Sequence, residues 1–130
     1  MKTLTVLLVD DDRDDRELFC ETIQEIDDNI LCISKPGGIE ALDYLKQKKN
    51  GLPDYIFLDL NMPAMDGKEC LVRIRKLSYL DQIPIIIYST SKNPVDADIA
   101  LKLGASFFLT KQGHLNELKD DLRRILLNLL

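Results

Sequence analysis

The chain has 130 residues, of which 45% are hydrophobic and 30% are charged, and its net charge is −5. This length and balance indicate one globular domain and exclude a disordered chain. The acidic balance without a basic stripe argues against direct binding of nucleic acid. No apolar run approaches the roughly 20 residues that a membrane-spanning helix needs. We therefore expect a cytoplasmic protein that binds neither nucleic acid nor membrane.

Strand and helix signals alternate five times along the chain. Each predicted strand is a short apolar run, and each is followed by apolar residues at helical spacing. The strands are predicted over residues 4–9, 30–34, 54–58, 85–88 and 106–109. The helices are predicted over residues 13–26, 39–48, 95–103, a segment that follows Gly67 and ends near Leu77, and a final segment marked by Leu115, Leu118, Leu122, Ile125 and Leu129.

Strands that are apolar on both faces, with one helix between each pair, predict a doubly covered parallel sheet. We expect residues 1–130 to form one α/β domain with a flavodoxin-like, doubly wound (βα)5 fold. The strand order 2-1-3-4-5 is adopted by analogy with flavodoxin-like folds. In such a sheet, ligands bind beyond the carboxyl ends of the strands, where the strand order reverses.

Five polar side chains follow the ends of predicted strands, namely those of Asp10, Asp11, Asp59, Ser89 and Lys111. In the expected strand order the three carboxylates share a small volume, where they repel one another unless some are protonated or a cation joins them. A cluster of oxygen ligands suits Mg²⁺. The backbone carbonyl of Asn61, two residues beyond Asp59, is a candidate for a further ligand.

These groups also predict phosphoryl chemistry. A carboxylate can act as a nucleophile and form an aspartyl phosphate. We assign that role to Asp59, which follows the central strand, and we assign Asp10 and Asp11 to the cation. Lys111 and Ser89 are expected to contact the transferring phosphoryl oxygens. Other acids read as helix caps or solvated turns, namely Asp12, Asp14, Asp15 and Asp66.

The segments that carry these residues resemble the receiver domains of two-component response regulators. VLLVDDD resembles the first strand and acid pair of that family, LDLNMPAMDG its phosphorylation loop, PIIIYS its fourth strand and LGASFFLTK its fifth strand with the lysine. The match spans the whole chain and leaves no residues for an output domain. It implies a stand-alone phosphoacceptor rather than an enzyme, with only self-phosphorylation and slow autodephosphorylation.

The resemblance further implies partners and a switch. A sensor histidine kinase or a His-containing phosphotransfer protein donates phosphate to Asp59 with Mg²⁺ bound, and a separate downstream protein receives the signal. Ser89 moves toward the phosphate and Phe108 follows inward. The face made by the fourth helix, the fifth strand and the last helix then changes, and it is also where a weak homodimer is expected if the chain is not a monomer.

Some residues depart from the family pattern or are expected to have no role in the site. Gln112 follows Lys111 where the family usually has Pro, which leaves the shape of that loop open. Phe107 is expected in the core, and His114 is given no relay role. Three cysteines far apart argue against metal ligation and disulfides, so we expect small apolar side chains in a reducing compartment at Cys20, Cys32 and Cys70.

Three other functions stay open from the residues alone. An aspartate-nucleophile phosphatase typically needs a second Asp two residues after the nucleophile, where this chain has Asn61. A flavodoxin-like nucleotide binder needs a first loop that cradles phosphate, and three consecutive acids from Asp10 to Asp12 would repel it. An unphosphorylated interaction module that keeps only the fold has no need of all five site groups together.

Overall fold

The computed structural model describes residues 3–47, 51–111 and 115–128. Its five strands are β1 (Thr5–Val9), β2 (Leu31–Lys35), β3 (Tyr55–Leu58), β4 (Ile85–Ser89) and β5 (Phe107–Thr110). Its helices are α1 (Arg13–Ile26), α2 (Gly38–Lys46), α3 (Gly67–Arg75), α4 (Pro94–Lys102) and α5 (Leu115–Arg123). A 3₁₀ turn over Ser78–Leu80 follows α3, and π-helical turns over Arg124–Asn128 extend α5. The predicted elements are confirmed, and their ends differ by only a few residues.

The five strands form one parallel sheet in the order β2-β1-β3-β4-β5. The expected flavodoxin-like order is therefore confirmed. In this register Val9 lies beside both Lys35 of β2 and Leu58 of β3. The residues that follow β1 and β3 consequently emerge side by side at the carboxyl edge of the sheet.

Each face of the sheet is buried under helices, which explains the uninterrupted apolar strands. Along β1, Leu7 and Val9 pack into the core on the side of α2 and α3, while Val6 and Leu8 pack into the core on the side of α1 and α5. All four side chains are completely buried. Within the described ranges, no helix is long and apolar enough to cross a membrane.

Two acids that were predicted as caps begin helices as expected. The Asp12 carboxylate accepts a hydrogen bond from the Asp15 N–H at the start of α1. The Asp66 carboxylate accepts one from the Glu69 N–H at the start of α3. Such caps satisfy backbone donors that the helix itself leaves unpaired.

Phe107 is not a core residue, contrary to expectation, because 44% of it is exposed. It is the first residue of β5, which is an edge strand of the sheet that the described residues form. The next residue, Phe108, is half-buried against the core on the α2 and α3 side. Three residues named in the sequence predictions, Gln112, His114 and Leu129, lie outside the described residues.

The expectation of three free thiols is wrong for one pair. Cys20 of α1 and Cys32 of β2 form a disulfide with a Cα–Cα distance of 5.6 Å. Their separation of 12 residues covers the end of the helix, a turn and the start of the strand, so only the fold brings them together. Cys70 does match the expectation, because it is a buried free thiol. Burial raises its pKa to about 12, which makes it unreactive.

Candidate functional site

The ends of β1 and β3 bring three predicted acids together. The Asp59 N–H donates a hydrogen bond to the Val9 carbonyl at 2.9 Å, which holds Asp59 against the end of β1. Carboxylate oxygens of Asp10, Asp11 and Asp59 all lie within 4.8 Å of one another. Asp10 is completely buried and Asp59 is 7% exposed, whereas Asp11 is open to solvent. The three carboxylates therefore concentrate negative charge in a small volume that solvent reaches on the Asp11 side.

Lys111 reaches this cluster from the end of β5. Its Nζ lies 2.7 Å from Asp10 Oδ2, 3.0 Å from Asp15 Oδ2 and 3.8 Å from Asp59 Oδ2. The same ammonium lies 5.2 Å from the centre of the Tyr88 ring, which is within cation–π range. Its backbone N–H donates to the Ser89 carbonyl at 2.7 Å, so the ladder between β4 and β5 positions the residue.

The electrostatics of the site follow from burial and these contacts. Burial raises the pKa of Asp59 to about 6; Lys111 opposes this rise, and the charges of Asp10 and Asp11 add to it. Burial alone lowers the pKa of Lys111, but hydrogen bonds to Asp10 and Asp15 outweigh it and leave the pKa raised. Lys111 therefore stays charged at neutral pH, and one ammonium faces a larger number of carboxylates.

The loop between β3 and α3 closes tightly over Asp59. The Asn61 N–H donates to Asp59 Oδ1 at 3.3 Å, and the Gly67 N–H donates to the Leu60 carbonyl at 2.8 Å. A Cβ on Gly67 would meet the Asp59 carbonyl oxygen and come within 2.5 Å of Leu60 Cα. Only glycine fits at that point, and the loop it allows keeps Asn61 beside the Asp59 carboxylate.

Ser89 and Phe108, the two predicted switch residues, lie on adjacent strands, Ser89 on β4 and Phe108 on β5. Ser89 ends β4, is completely buried, and its Oγ accepts a hydrogen bond from the Ser91 N–H at 3.2 Å. Phe108 pairs in register with Ile87, two residues before Ser89. The half-buried position of Phe108 leaves it partly in contact with solvent and partly with the core.

Two neighbours of Lys111 were missed by the sequence analysis. Asp15 was assigned only to the helix end, yet it also binds the Lys111 ammonium. Tyr88 was taken only as part of an apolar strand, yet its ring lies next to that ammonium. The sequence did contain a signal for the role of Asp15. Because α1 begins only two residues after Asp11, the first turn of the helix, which includes Asp15, has to lie beside the site.

Comparisons with known proteins agree with this geometry. The chain matches the family model of the response regulator receiver domain over residues 6–123. It is 32% identical over 119 residues to response regulator Rcp1 of Synechocystis sp., which covers 87% of this chain and 80% of that protein. The phosphorylated cyanobacterial phytochrome response regulator RcpA has a TM-score of 0.89 at 29% identity, with 99% of this chain and 97% of that chain covered.

The Mn²⁺-bound form of Rcp1 has a TM-score of 0.83 at 30% identity, with 98% of this chain and 96% of that chain covered. The similarity in sequence and in structure therefore extends over nearly the whole domain. The matched range contains the three clustered acids as well as Lys111. The chain belongs to the response regulator receiver domain family.

Proposed function

We propose that Asp59 is the phosphoacceptor of this receiver domain. The observation that carries the proposal is the convergence of three carboxylates and the Lys111 ammonium around Asp59. The Asp59 carboxylate lies within 4.8 Å of those of Asp10 and Asp11, and 3.8 Å from the Lys111 ammonium. Its pKa of about 6 leaves it ionised at neutral pH and hence able to act as a nucleophile.

The donor we propose is a phosphohistidine, carried by a sensor histidine kinase or by a phosphotransfer protein. One Asp59 oxygen bonds to phosphorus while the bond from phosphorus to the donor nitrogen breaks, and the electron pair stays with the leaving imidazole. Lys111 places positive charge against the transferring oxygens, which is the main requirement of phosphoryl transfer. Ser89 supplies a hydroxyl that can donate to the product phosphoryl group.

The donor set fits a hard divalent cation. Asp10, Asp11 and Asp59 offer only carboxylate oxygens, and Asn61 adds a backbone carbonyl as a fourth candidate. We propose Mg²⁺, which prefers oxygen ligands and supplies positive charge to phosphoryl oxygens when it is bound. The structure of the relative Rcp1 is a Mn²⁺-bound form, which supports the proposal that this domain binds a divalent ion.

We propose that the domain passes its signal through protein contacts. The support is the similarity to the response regulators Rcp1 and RcpA, which extends over most of the length of both. Phosphorylation adds negative charge and acceptor oxygens, which can shift a two-state element. Here that element includes Ser89, Phe108 and the face made by α4, β5 and α5.

We further propose that the domain acts in the cytoplasm. It is a monomer, or a weak homodimer through the face made by α4, β5 and α5. We expect no catalytic turnover beyond slow loss of its own phosphate.

The test is phosphoryl incorporation from a small acyl phosphate in the presence of Mg²⁺. The unmodified chain should be labelled once, and Asp59→Asn should not be labelled. Asp66→Asn is the matched control, because Asp66 lies in the same loop, is exposed and only caps α3. Asp10→Asn should weaken Mg²⁺ binding in a direct titration. Rapid, repeated hydrolysis of many phosphate esters would instead indicate a phosphatase and contradict the proposal.

A further inference from the structure

A chain of polar contacts crosses from α3 to the loop between β4 and α4. The Lys68 ammonium, in the first turn of α3, lies 3.4 Å from Asp96 Oδ1 in the first turn of α4. The Ser91 hydroxyl donates to the other Asp96 oxygen at 2.5 Å. This hydrogen bond, with a smaller contribution from Lys68, lowers the pKa of Asp96. Asp96 is therefore a charged link between two separate elements.

The same chain of contacts ends at Ser89. The Ser91 N–H donates to Ser89 Oγ at 3.2 Å, and the Asn93 N–H donates to Ser91 Oγ at 3.3 Å. Ser91 thus holds Ser89 through its backbone while its own side chain is held by Asp96. Because Ser89 is completely buried, its hydroxyl cannot exchange this partner for bulk water. Reorientation of the Ser89 hydroxyl toward a phosphoryl group on Asp59 would therefore compete with its hydrogen bond from Ser91.

Lys68 lines a cleft next to the Asp59 loop, and Asn61 joins this cleft to the Asp59 carboxylate. A cleft of about 320 Å³ is lined by Leu60, Asn61, Met62, Asp66, Lys68 and Asp96. Lys68 is the only cation in this lining, and Asn61 is bonded through its N–H to Asp59. The pair of Lys68 with Asp96 is long, and its side chains are 39% and 28% exposed, so it is a weak contact. A phosphoryl group on Asp59 would compete with Asp96 for this ammonium.

We propose that Lys68, Asp96 and Ser91 form a latch that holds Ser89 in its unphosphorylated orientation, and that phosphorylation of Asp59 opens it. The inference rests on the proposed function of Asp59. Lys68, Asp96 and Ser91 are positioning residues in this account, because they act through Ser89. In this account phosphorylation takes place from the open conformation, so a latch that lowers the population of that conformation slows phosphorylation in proportion.

Removing the latch should therefore speed phosphorylation by a small acyl phosphate. We expect Asp96→Ala and Ser91→Ala each to raise the labelling rate about three- to tenfold, as loss of a charge-assisted hydrogen bond predicts. Lys68→Met should have a smaller effect, about twofold, because its ion pair is exposed. The double variant of Asp96 and Ser91 should be no faster than either single variant, since both changes break one contact.

Arg73→Met is the matched control for these rates. Arg73 lies on the same helix as Lys68 and pairs with Glu69 at 2.9 Å, but it does not line the cleft. It should leave the labelling rate unchanged. The conservative variant Asp96→Asn keeps an acceptor for Ser91 and should stay nearer to the unmodified rate than Asp96→Ala does. This pattern separates a latch from a general loss of stability, which would not depend on the acceptor.

A second set of measurements follows the Ser91 amide directly and needs no phosphoryl transfer. The Ser91 amide of the unphosphorylated chain should be protected from hydrogen exchange, and Asp96→Ala should reduce that protection at least several-fold. In nuclear magnetic resonance spectra with Mg²⁺ and beryllium fluoride, the Ser91 amide signal should shift as the contact with Ser89 is lost. The latch would be wrong, and the proposed function untouched, if the latch variants were labelled at the unmodified rate. The same conclusion would follow if the Ser91 amide changed in neither experiment. Absence of labelling in every form, including the unmodified chain, would overturn the proposed function and the latch with it.

Discussion

Lys111 Nζ and Asp10 Oδ2 lie 2.7 Å apart, although 101 positions separate the two residues in the chain. Asp10 is completely buried, and the Lys111 side chain is only 11% exposed. The contact joins the ends of β1 and β5, which lie on opposite sides of β3 and β4 in the sheet. A buried pair of this kind makes each charge dependent on the other.

Lys111→Met should therefore destabilise the fold as well as prevent phosphoryl transfer. The variant leaves the buried Asp10 carboxylate without its cation, which costs about 3 kcal/mol in comparable buried pairs. Urea unfolding without divalent cations should show this loss. Mg²⁺ should recover part of it, because a bound cation stabilises the folded state by mass action and replaces the missing charge.

Lys119→Met is the control for this prediction. Lys119 pairs with Glu25 at 3.3 Å, but the two side chains are 28% and 56% exposed. Loss of such a surface pair should change the free energy of unfolding by less than about 1 kcal/mol. If the two lysine variants lost equal stability, the account of a buried charge centre at Asp10 would be wrong.

Asp59→Asn should make the metal-free chain more stable at neutral pH. The folded pKa of Asp59 is about 6, above the value of 3.8 for an unperturbed carboxyl. The folded state therefore binds the proton more tightly, and the unmodified chain loses stability as the pH rises from about 4 to about 6. The amide carries no charge at any pH, so its advantage should be roughly 1 to 2 kcal/mol above pH 6 and should vanish near pH 4.

Denaturation curves at a series of pH values, in buffer without divalent cations, measure this difference. Asp66→Asn again serves as the control, because an asparagine caps a helix about as well as an aspartate does. A stability gain of Asp59→Asn that is the same at pH 4 and at pH 7 would show that charge burial is not its cause.

Gly67→Ala should disturb the site through the backbone. The added Cβ would meet the Asp59 carbonyl oxygen and Leu60 Cα, and neither can move without displacing the loop. We expect a loss of about 2 kcal/mol in the free energy of unfolding and slower phosphorylation. Gly37→Ala is the control, because its Cβ would meet only the flexible side chain of Glu40. Equal effects of the two alanines would contradict this explanation of the loop.

The Cys20–Cys32 disulfide should make stability depend on redox conditions. It closes a short loop between α1 and β2, for which the chain-entropy model gives roughly 2 to 3 kcal/mol. The melting temperature should fall by roughly 5 to 10 °C when a dithiol reductant is added. Cys20→Ser should melt at the reduced value under both conditions. A melting temperature that ignores the reductant, with two further thiols titrating in the native chain, would show that the bond does not form.

The fold and the acid cluster were predictable because their signals are local. Apolar runs of the length of β1 and β3 predict buried strands, and parallel strands place Asp10 and Asp59 at one edge of the sheet. The strand order itself came from analogy and not from the residues. The register later explained why Val9 and Leu58 bring the two acids side by side.

The remaining features depend on contacts that no local pattern encodes. The bond between Cys20 and Cys32 requires the packing of α1 on the edge of the sheet. The link from Lys68 to Asp96 joins residues 28 positions apart, and each reads alone as a solvated charge at a helix end. Phe107 was expected in the core because its strand is apolar. However, β5 lies at the edge of the sheet, and Phe107 stays 44% exposed there.

The most direct test of the central claim is mass-spectrometric mapping of the phosphoryl group. The chain is incubated with Mg²⁺ and a small acyl phosphate, digested, and compared with Asp59→Asn treated in the same way. The account predicts a single phosphoryl group, on the peptide that contains Asp59, and none on the variant. A phosphoryl group on another residue, or equal incorporation into the variant, would contradict it.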